Sequence, residues 1–510
     1  MFKLFEIEFI DHPFFNSLKV EFVNQDEGWA LHYTTLIIGP NGTGKSKILQ
    51  AIIAIFNSLE TISKNSRNKY SFEYHYKLKF GNKGRIHNVD YTTDELIIDE
   101  RDFRYASEHL DLPSKVLVSA FSFNDKYPLR ESRGKVINEN YHYLGLKSTT
   151  NNIFLGNPTK SAIVNLYDAV VKGKDIAPLR AAFTTLELRP ELKLVYKPGK
   201  YFKFLQNNEF FENRNVSVTQ FEDSFTDVFK KKKRKDAKPE LKRLGNEKIE
   251  NILADKEKIQ SVIGYLQENI RLITAMENKE ISLKPSLEFD RKGSYNEFTK
   301  HVLPFQLLSD LEIISFQQFE IKKLNTNFSF DDASSGEYHI ILTFLNILSL
   351  IKENSLVMLD EPEISLHPNW QIKYMDIFNK IFHHFPKSHF IIASHSHFLV
   401  SDLKAENSSI LAIDINEAGE IKITSSPKNT YGWSAEQILL DVFKVATTRN
   451  YYISKTITDV LKEMAEVEPN YQLIKTKLEA IIFLDTKDFN QHDPLLDVFK
   501  ELKTFYSELN

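Results

Sequence analysis

Apolar and polar residues alternate through residues 1–22, with Phe5, Ile7 and Phe9, then Leu18, Val20 and Phe22, on one side of each run. A period of two belongs to half-buried strands. Residues 34–38 form a short β-branched run that stops at Gly39-Pro40-Asn41-Gly42, so a strand leads into a turn. Beyond the turn, Ile48, Leu49, Ile52, Ile55, Phe56 and Leu59 recur at three- and four-residue steps, one face of a helix. Aromatic and charged residues alternate again at 70–80 and 96–98, which predicts an antiparallel sheet, and 115–121 is another β-branched strand.

Residues 151–310 change character: they are lysine-rich and read as a mainly helical insertion. Ile259, Ile263, Leu266, Ile270 and Ile273 step by four and three, either as a coiled-coil arm or as a buried helix face. The second is favoured because the pattern lasts only about two heptads. Strand patterning returns at 312–316 and 319–321, followed by a glycine motif, an apolar helix at 340–351, a strand at 355–359, another helix and a strand at 389–393. Such β-α-β alternation implies a parallel sheet. The expected architecture is α/β: a head in two halves, 1–150 and 311–433, with mixed or parallel strands and an antiparallel subdomain. The insertion 151–310 and a helical region 434–510, with Ile457, Val460, Leu461 and Met464 on one face, complete it.

The turn after the first parallel-type strand carries chemistry. Gly39, Pro40, Asn41, Gly42, Thr43, Gly44, Lys45 and Ser46 fill every fixed position of GxxxxGK[ST], between a strand and a helix. Glycines let the backbone curl so that N–H groups can face phosphate oxygens, and a helix start adds its positive dipole end. Lys45 is expected on the β- and γ-phosphates of ATP and Ser46 on Mg2+. In the strand 355–359, apolar residues lead to Asp360 and Glu361, acids at the carboxyl end of a buried strand, where ligands bind in such sheets. Asp360 is expected to hold Mg2+ through water and Glu361 to polarise the attacking water. His395 follows the strand at 389–393, one strand past these acids, and is a candidate functional histidine. Ser334, Ser335, Gly336 and Glu337 open the apolar helix; Ser334 and Glu337 also form a capping box, and both readings hold together.

Composition narrows the field without adding a function. The 510 residues carry a formal charge of −4, which gives no bulk signal for nucleic acid. There is no cysteine, so thiol nucleophiles, disulfides and cysteine zinc sites are excluded. Glu6, Glu8 and Asp11 interrupt any leader-like stretch, and a cytoplasmic protein is expected. The longest apolar run, 340–351, falls short of the roughly 20 residues of a membrane span and contains Thr343, Asn346 and Ser349. The one strong basic cluster is Lys230, Lys231, Lys232, Lys233, Arg234 and Lys235, either a nucleic-acid contact or a solvated loop.

These motifs resemble the ABC-type ATPases. Residues 333–337 are similar to the signature in the variant of SMC and RecF proteins, His395 to the switch histidine, and Glu363 to Pro368 to the dimer-contacting D-loop. The usual glutamine after the middle strand is not identifiable; Asn124 and Asp125 are weak substitutes. Segments 119–128, 141–146, 359–368 and 430–434 resemble the AAA-type ATPases of bacterial anti-phage defence, and within them the PtuA-type ATPases of Septu systems, including the form carried by some retrons. That resemblance implies that the signature of one copy closes on the phosphate loop of another, so the chain dimerises or forms a larger oligomer. It also implies a separate HNH nuclease partner and, in a retron context, a reverse transcriptase and its small DNA. Asp485 and Asp488 have the wrong spacing for a Toprim nuclease, and His383-His384 lacks acids at HNH spacing, so cutting is expected on another chain. Residues 434–510 are either a docking surface for it or a helical cap. The alternative is a RecF- or SMC-like DNA-repair ATPase without a nuclease.

Overall fold

The structure is a computed structural model that describes residues 1–23, 32–64, 72–103, 110–120, 125–128, 131–132, 135–136, 138–145, 147–149, 152–153, 177–206, 216–233, 249–274, 281–288, 294–324, 335–364, 366–403, 406–415, 420–425, 430, 433, 438, 451–464, 469–479, 481 and 494–508. Two compact units result, Met1–Tyr431 and Gly432–Asn510.

A seven-stranded sheet organises the first unit, in the order Tyr141–Tyr143, Val116–Ala120, Leu356–Asp360, His389–Ser394, Tyr33–Ile38, Ser408–Ile415, Ile421–Ser425. All neighbours are parallel except the last pair. The three central strands are buried along their whole length, as strands covered on both faces must be. Alternation sorts their side chains. Ile37, Leu356, Met358, Ile391 and Ala393 join Ile48, Ile52, Ile55 and Phe56 of helix Lys45–Lys64 in one core. Phe390 points the other way, against Phe378 and Phe382 of helix Pro368–Phe382, with ring centroids 4.9 and 5.1 Å apart. Helix Ser335–Leu350 reaches the same cluster through Phe344, 5.5 Å from Phe382.

A six-stranded antiparallel sheet, led by Asn16–Glu21, Lys3–His12, Tyr76–Asn82 and Arg85–Tyr91, closes the first core. Phe5, Ile7 and Phe9 are all buried, so the alternating pattern read from the sequence marks the inward face. A buried imidazole joins the two sheets. The backbone N–H of Leu4 donates to His389 Nδ1 (3.0 Å), and His389 Nε2 lies 3.0 Å from Thr35 Oγ1. Thr35 in turn donates to Phe22 O, which leaves its oxygen free to accept from Nε2–H.

Between 151 and 310 the described residues are mainly helical, but they also carry strands that the sequence pattern does not announce. Strand Leu188–Pro198 pairs antiparallel with both Ile281–Glu288 and Ile314–Lys323. The expected boundary at 310/311 therefore runs beside a sheet whose strands lie on both sides of it. Lys193 and Lys197 flank the buried run Leu194, Val195 and Tyr196, and so short an apolar run in a lysine-rich stretch is easily read as part of a polar helix. Helix Lys256–Thr274 buries Ile259, Val262, Ile263 and Leu266, so the described part of its seam is a core face; the side chains of Ile270 and Ile273 lie outside the described residues. Residues 234–248 lie outside the described residues, as do the side chains of Lys230–Lys233, whose backbone ends helix Val218–Lys233.

In the second unit, helices Tyr451–Met464, Tyr471–Glu479 and Pro494–Glu508 share a small core of Ile457, Val460, Ile474, Leu478, Ile481 and Leu502. Leu461 and Met464 stay 49% and 36% exposed, so the single apolar face read from the sequence is split. Among the described residues, no helix is long and apolar enough to cross a membrane.

Candidate nucleotide site

Three parallel strands deliver the site. Their register sets Asp360 beside Ala393 and Ser394 beside Ile38, so the residues that follow, Glu361, His395 and Gly39, emerge at one sheet edge. That edge is the carboxyl end of the strands. Helix Lys45–Lys64 begins six residues after Gly39 and brings Lys45 and Ser46 to the same place.

The loop 39–44 needs its glycines. Gly44 has φ +95°, and a Cβ there would come within 2.5 Å of the Phe14 ring and 2.7 Å of the Phe15 ring. Gly39 has φ +156°, with Ile413 O 2.2 Å from where a Cβ would be. Thr43 Oγ1 donates to Pro40 O (2.9 Å) and pins the loop, while Pro40, Asn41 and Gly42 form its exposed tip.

Five side chains named from the sequence meet here. Lys45 Nζ donates to Gly39 O (2.8 Å) and Pro40 O (2.9 Å) and lies 3.0 Å from His395 Nδ1. His395 Nε2 is 2.5 Å from Glu361 Oε1. His395 Nδ1 also lies 3.0 Å from Gly39 O, so the ring bridges the ammonium, the loop carbonyl and the carboxylate. Ser46 Oγ donates to Asp360 Oδ1 at 3.0 Å. The electrostatics follow from enclosure. Burial pushes the Lys45 ammonium down to about 8, against the pull of Glu361, Asp360 and Glu363. Burial likewise pushes the Asp360 carboxyl up to about 6, against hydrogen bonds from Tyr127 and Ser46. Glu361 moves the other way, held below the usual carboxylate range chiefly by its hydrogen bond to His395. An enclosed cation beside enclosed acids is a site that gains from a polyanion with its own counter-cation. The hydroxyl and carboxylate oxygens of Ser46 and Asp360 are hard donors of the kind Mg2+ takes.

Glu361 sits in the left-handed region, φ 51°, with its N–H donating to Ala393 O at 2.8 Å. The strand pairing thus continues one residue past Asp360 and turns the Glu361 side chain toward His395.

Of the signature residues, Gly336 and Glu337 are not part of this cluster. Ser334 and the side chain of Ser335 lie outside the described residues. Gly336 is buried in the first turn of helix Ser335–Leu350, and Glu337 Oε1 accepts from Lys323 Nζ at 2.6 Å. His367 acts as the N-cap of helix Pro368–Phe382, its ring accepting from Asn369 N. Asn124 lies outside the described residues, and Asp125 turns to Tyr143 OH (2.7 Å) instead of toward the acids.

Two residues that the sequence reading left without a role in the site belong to it. Tyr127 OH donates to Asp360 Oδ2 at 2.8 Å. Glu363 Oε1 accepts from Ser394 Oγ (2.6 Å), His395 N (2.7 Å) and Ser396 N (3.2 Å), and so fixes the backbone that carries His395. In the sequence, a tyrosine in an aromatic stretch reads as core, and a D-loop acid reads as a partner contact.

Among curated proteins the chain is similar to the Septu protein PtuA of Bacillus thuringiensis, 32% identical over 114 residues, 22% of this chain and 28% of that protein. It is also similar to the retron Vc95 probable ATPase of Vibrio cholerae, 24% identical over 466 residues, 86% of this chain and 78% of that one. Among solved structures, the Smc head domain of Pyrococcus furiosus bound to the C-terminal domain of ScpA matches with TM-score 0.32 and 12% identity, covering 83% of this chain and 96% of that chain. The SMC head domain of Thermotoga maritima gives TM-score 0.33 and 11% identity, over 83% and 99% respectively. The AAA ATPase domain profile matches residues 14–400. That span covers every residue of the Lys45 cluster, and the chain is a member of the AAA ATPase domain family.

Proposed function

We propose that this ATPase binds ATP with Mg2+ in the Lys45 cluster and hydrolyses it there. The convergence of Lys45, Ser46, Asp360, Glu361 and His395 on one sheet edge carries the reading. Lys45 neutralises the β- and γ-phosphates, and the loop 39–44 wraps them. Ser46 and Asp360 would hold Mg2+, which supplies charge neutralisation at the transferring phosphoryl group. Glu361 orients the attacking water and takes its proton, with His395 placed to contact the γ-phosphate. Water adds to the γ-phosphorus, the bond to the β-γ bridging oxygen breaks, and ADP and phosphate leave.

The second half of the site comes from another copy, whose residues 334–337 close on the γ-phosphate, so the working form is a dimer or larger oligomer. In the cell the ATPase serves anti-phage defence as a cytoplasmic switch that holds or releases a separate HNH nuclease, in some settings beside a retron reverse transcriptase and its DNA. Similarity to a Septu PtuA and a retron ATPase supports that assignment. Sedimentation of Glu361→Gln with ATP and Mg2+ tests the composite site: a dimer or larger species is expected, and a persistent monomer with bound ATP would overturn it. Affinity purification from cells carrying the neighbouring genes tests the partner. Recovery of an HNH protein that depends on Lys45 is expected, and its absence refutes the nuclease arm.

A further inference from the structure

The loop that follows strand Val116–Ala120 places a phenol where no sequence pattern asks for one. Tyr127 is 4% exposed, and its hydroxyl donates to Asp360 Oδ2 at 2.8 Å. The other oxygen of that carboxylate, Oδ1, accepts from Ser46 Oγ at 3.0 Å. Asp360 is thus gripped from both sides, and its plane is fixed by two donors of different origin. A carboxylate with one donor can rotate about its terminal torsion, which is broad and soft; one with a donor on each oxygen cannot.

Tyr127 is itself held. Asp125 Oδ1 accepts from the Tyr127 backbone N–H (3.3 Å), and Asp125 Oδ2 accepts from Tyr143 OH (2.7 Å). One residue past Tyr127, Pro128 O accepts from Tyr141 OH (2.7 Å). Both tyrosines come from the edge strand Tyr141–Tyr143, which pairs in parallel with Val116–Ala120, itself the neighbour of the Asp360 strand. The edge strand therefore clamps residues 125–128 at two points and aims one hydroxyl at Asp360. Gly145, two residues past Tyr143, is constrained as well: a Cβ there would run into Tyr143 OH and Ala120 O.

We propose that Tyr127 is a positioning residue for Asp360, and that it sets how strongly the nucleotide site takes Mg2+. By locking Oδ2, it keeps Oδ1 turned to Ser46 Oγ, so the hydroxyl and carboxylate are prearranged around one cation position. This rests on the reading of Ser46 and Asp360 as the Mg2+ side of the site. Edge-strand tyrosines Tyr141 and Tyr143 serve the same end at one remove.

The test is a Mg2+ titration of nucleotide binding, read with a fluorescent ATP analogue on the full chain. Tyr127→Phe keeps the buried ring and removes only the hydroxyl. The Mg2+ concentration at half-saturation is expected to rise about tenfold, equivalent to about 1.4 kcal/mol, while analogue binding in excess EDTA stays unchanged. Saturating Mg2+ should restore wild-type affinity, which a general loosening of the fold would not allow. Tyr143→Phe, a second variant further from the site, should move the same midpoint in the same direction by a smaller factor. Asp360→Asn should remove the Mg2+ dependence. If both tyrosine variants titrate like wild type while Asp360→Asn does not, Tyr127 has no positioning role. If Asp360→Asn also titrates like wild type, the assignment of Asp360 to Mg2+ fails first.

Discussion

Acid should weaken this protein through His389, and the size of the effect follows from where that ring sits. It is fully buried between the parallel and antiparallel sheets, accepting from Leu4 N–H with Nδ1 and donating from Nε2 to Thr35. Protonation would set an N–H against the N–H of Leu4, next to the buried Lys3. Burial first and the Lys3 charge second hold the ring's pKa down, from an ordinary 6.5 to about 3. The unfolded chain therefore takes up this proton first. The contribution is whole above pH 6.5 and drains away as pH falls toward 3. At pH 5 the difference is about 1.5 pH units, or about 2 kcal/mol. His339, buried and lowered to about 4, adds a similar loss over the upper part of the same window. Together, about 4 kcal/mol is a large share of the 5–15 kcal/mol typical of a folded domain. Urea unfolding of wild type and His389→Gln at about pH 7 and about pH 5 isolates the term. Glutamine can accept from Leu4 and donate to Thr35 but cannot titrate, so the variant should lose about 2 kcal/mol less than wild type between the two pH values. Equal losses would show that this imidazole is not the proton sink.

Other outcomes follow from the site. Lys45→Ala should abolish detectable ATP binding by calorimetry, since it removes the ammonium that reaches both Gly39 O and His395. Glu361→Gln should keep ATP binding and cut turnover about 100-fold or more in a phosphate-release assay; near-normal turnover would remove Glu361 as the base. Gly44→Ala puts a methyl group into the Phe14 and Phe15 rings at a left-handed φ and should cost about 2 kcal/mol in thermal or urea unfolding, along with ATP affinity. Glu363→Ala removes the acceptor shared by Ser394 Oγ, His395 N and Ser396 N, of which Ser396 N keeps Ser394 Oγ, and should lower stability by about 2 kcal/mol as well as slowing turnover; loss of stability with turnover intact would separate the clamp from the chemistry.

Much of the site was legible because its parts sit at punctuation marks. Gly39 to Ser46 break a strand and start a helix, and Asp360, Glu361 and His395 end apolar strands, so local pattern and chemistry coincide. Tyr127 and Glu363 gave no such mark. Their roles depend on which oxygen or N–H lies opposite after the sheet forms, and Tyr127 meets Asp360 across 233 residues of sequence. The strand Leu188–Pro198 was missed for another reason. Its partners stand far away at 281–288 and 314–323, and long-range pairing leaves little trace in a lysine-rich window. The apolar seam of 256–274 was visible, but whether it faced a second helix or a core was a matter of packing.

The position of strand Tyr33–Ile38 has a consequence for how the protein is made. Its two hydrogen-bonding neighbours are His389–Ser394 and Ser408–Ile415, both more than 350 residues downstream. At roughly 5–20 residues per second of synthesis, the phosphate-binding turn leaves the ribosome about 17–70 s before either neighbour exists. Through that interval an almost wholly apolar segment has two bare edges, the condition under which nascent chains aggregate or recruit chaperones. The ATP pocket is therefore among the last features to form during biogenesis, although its first residue is the thirty-ninth.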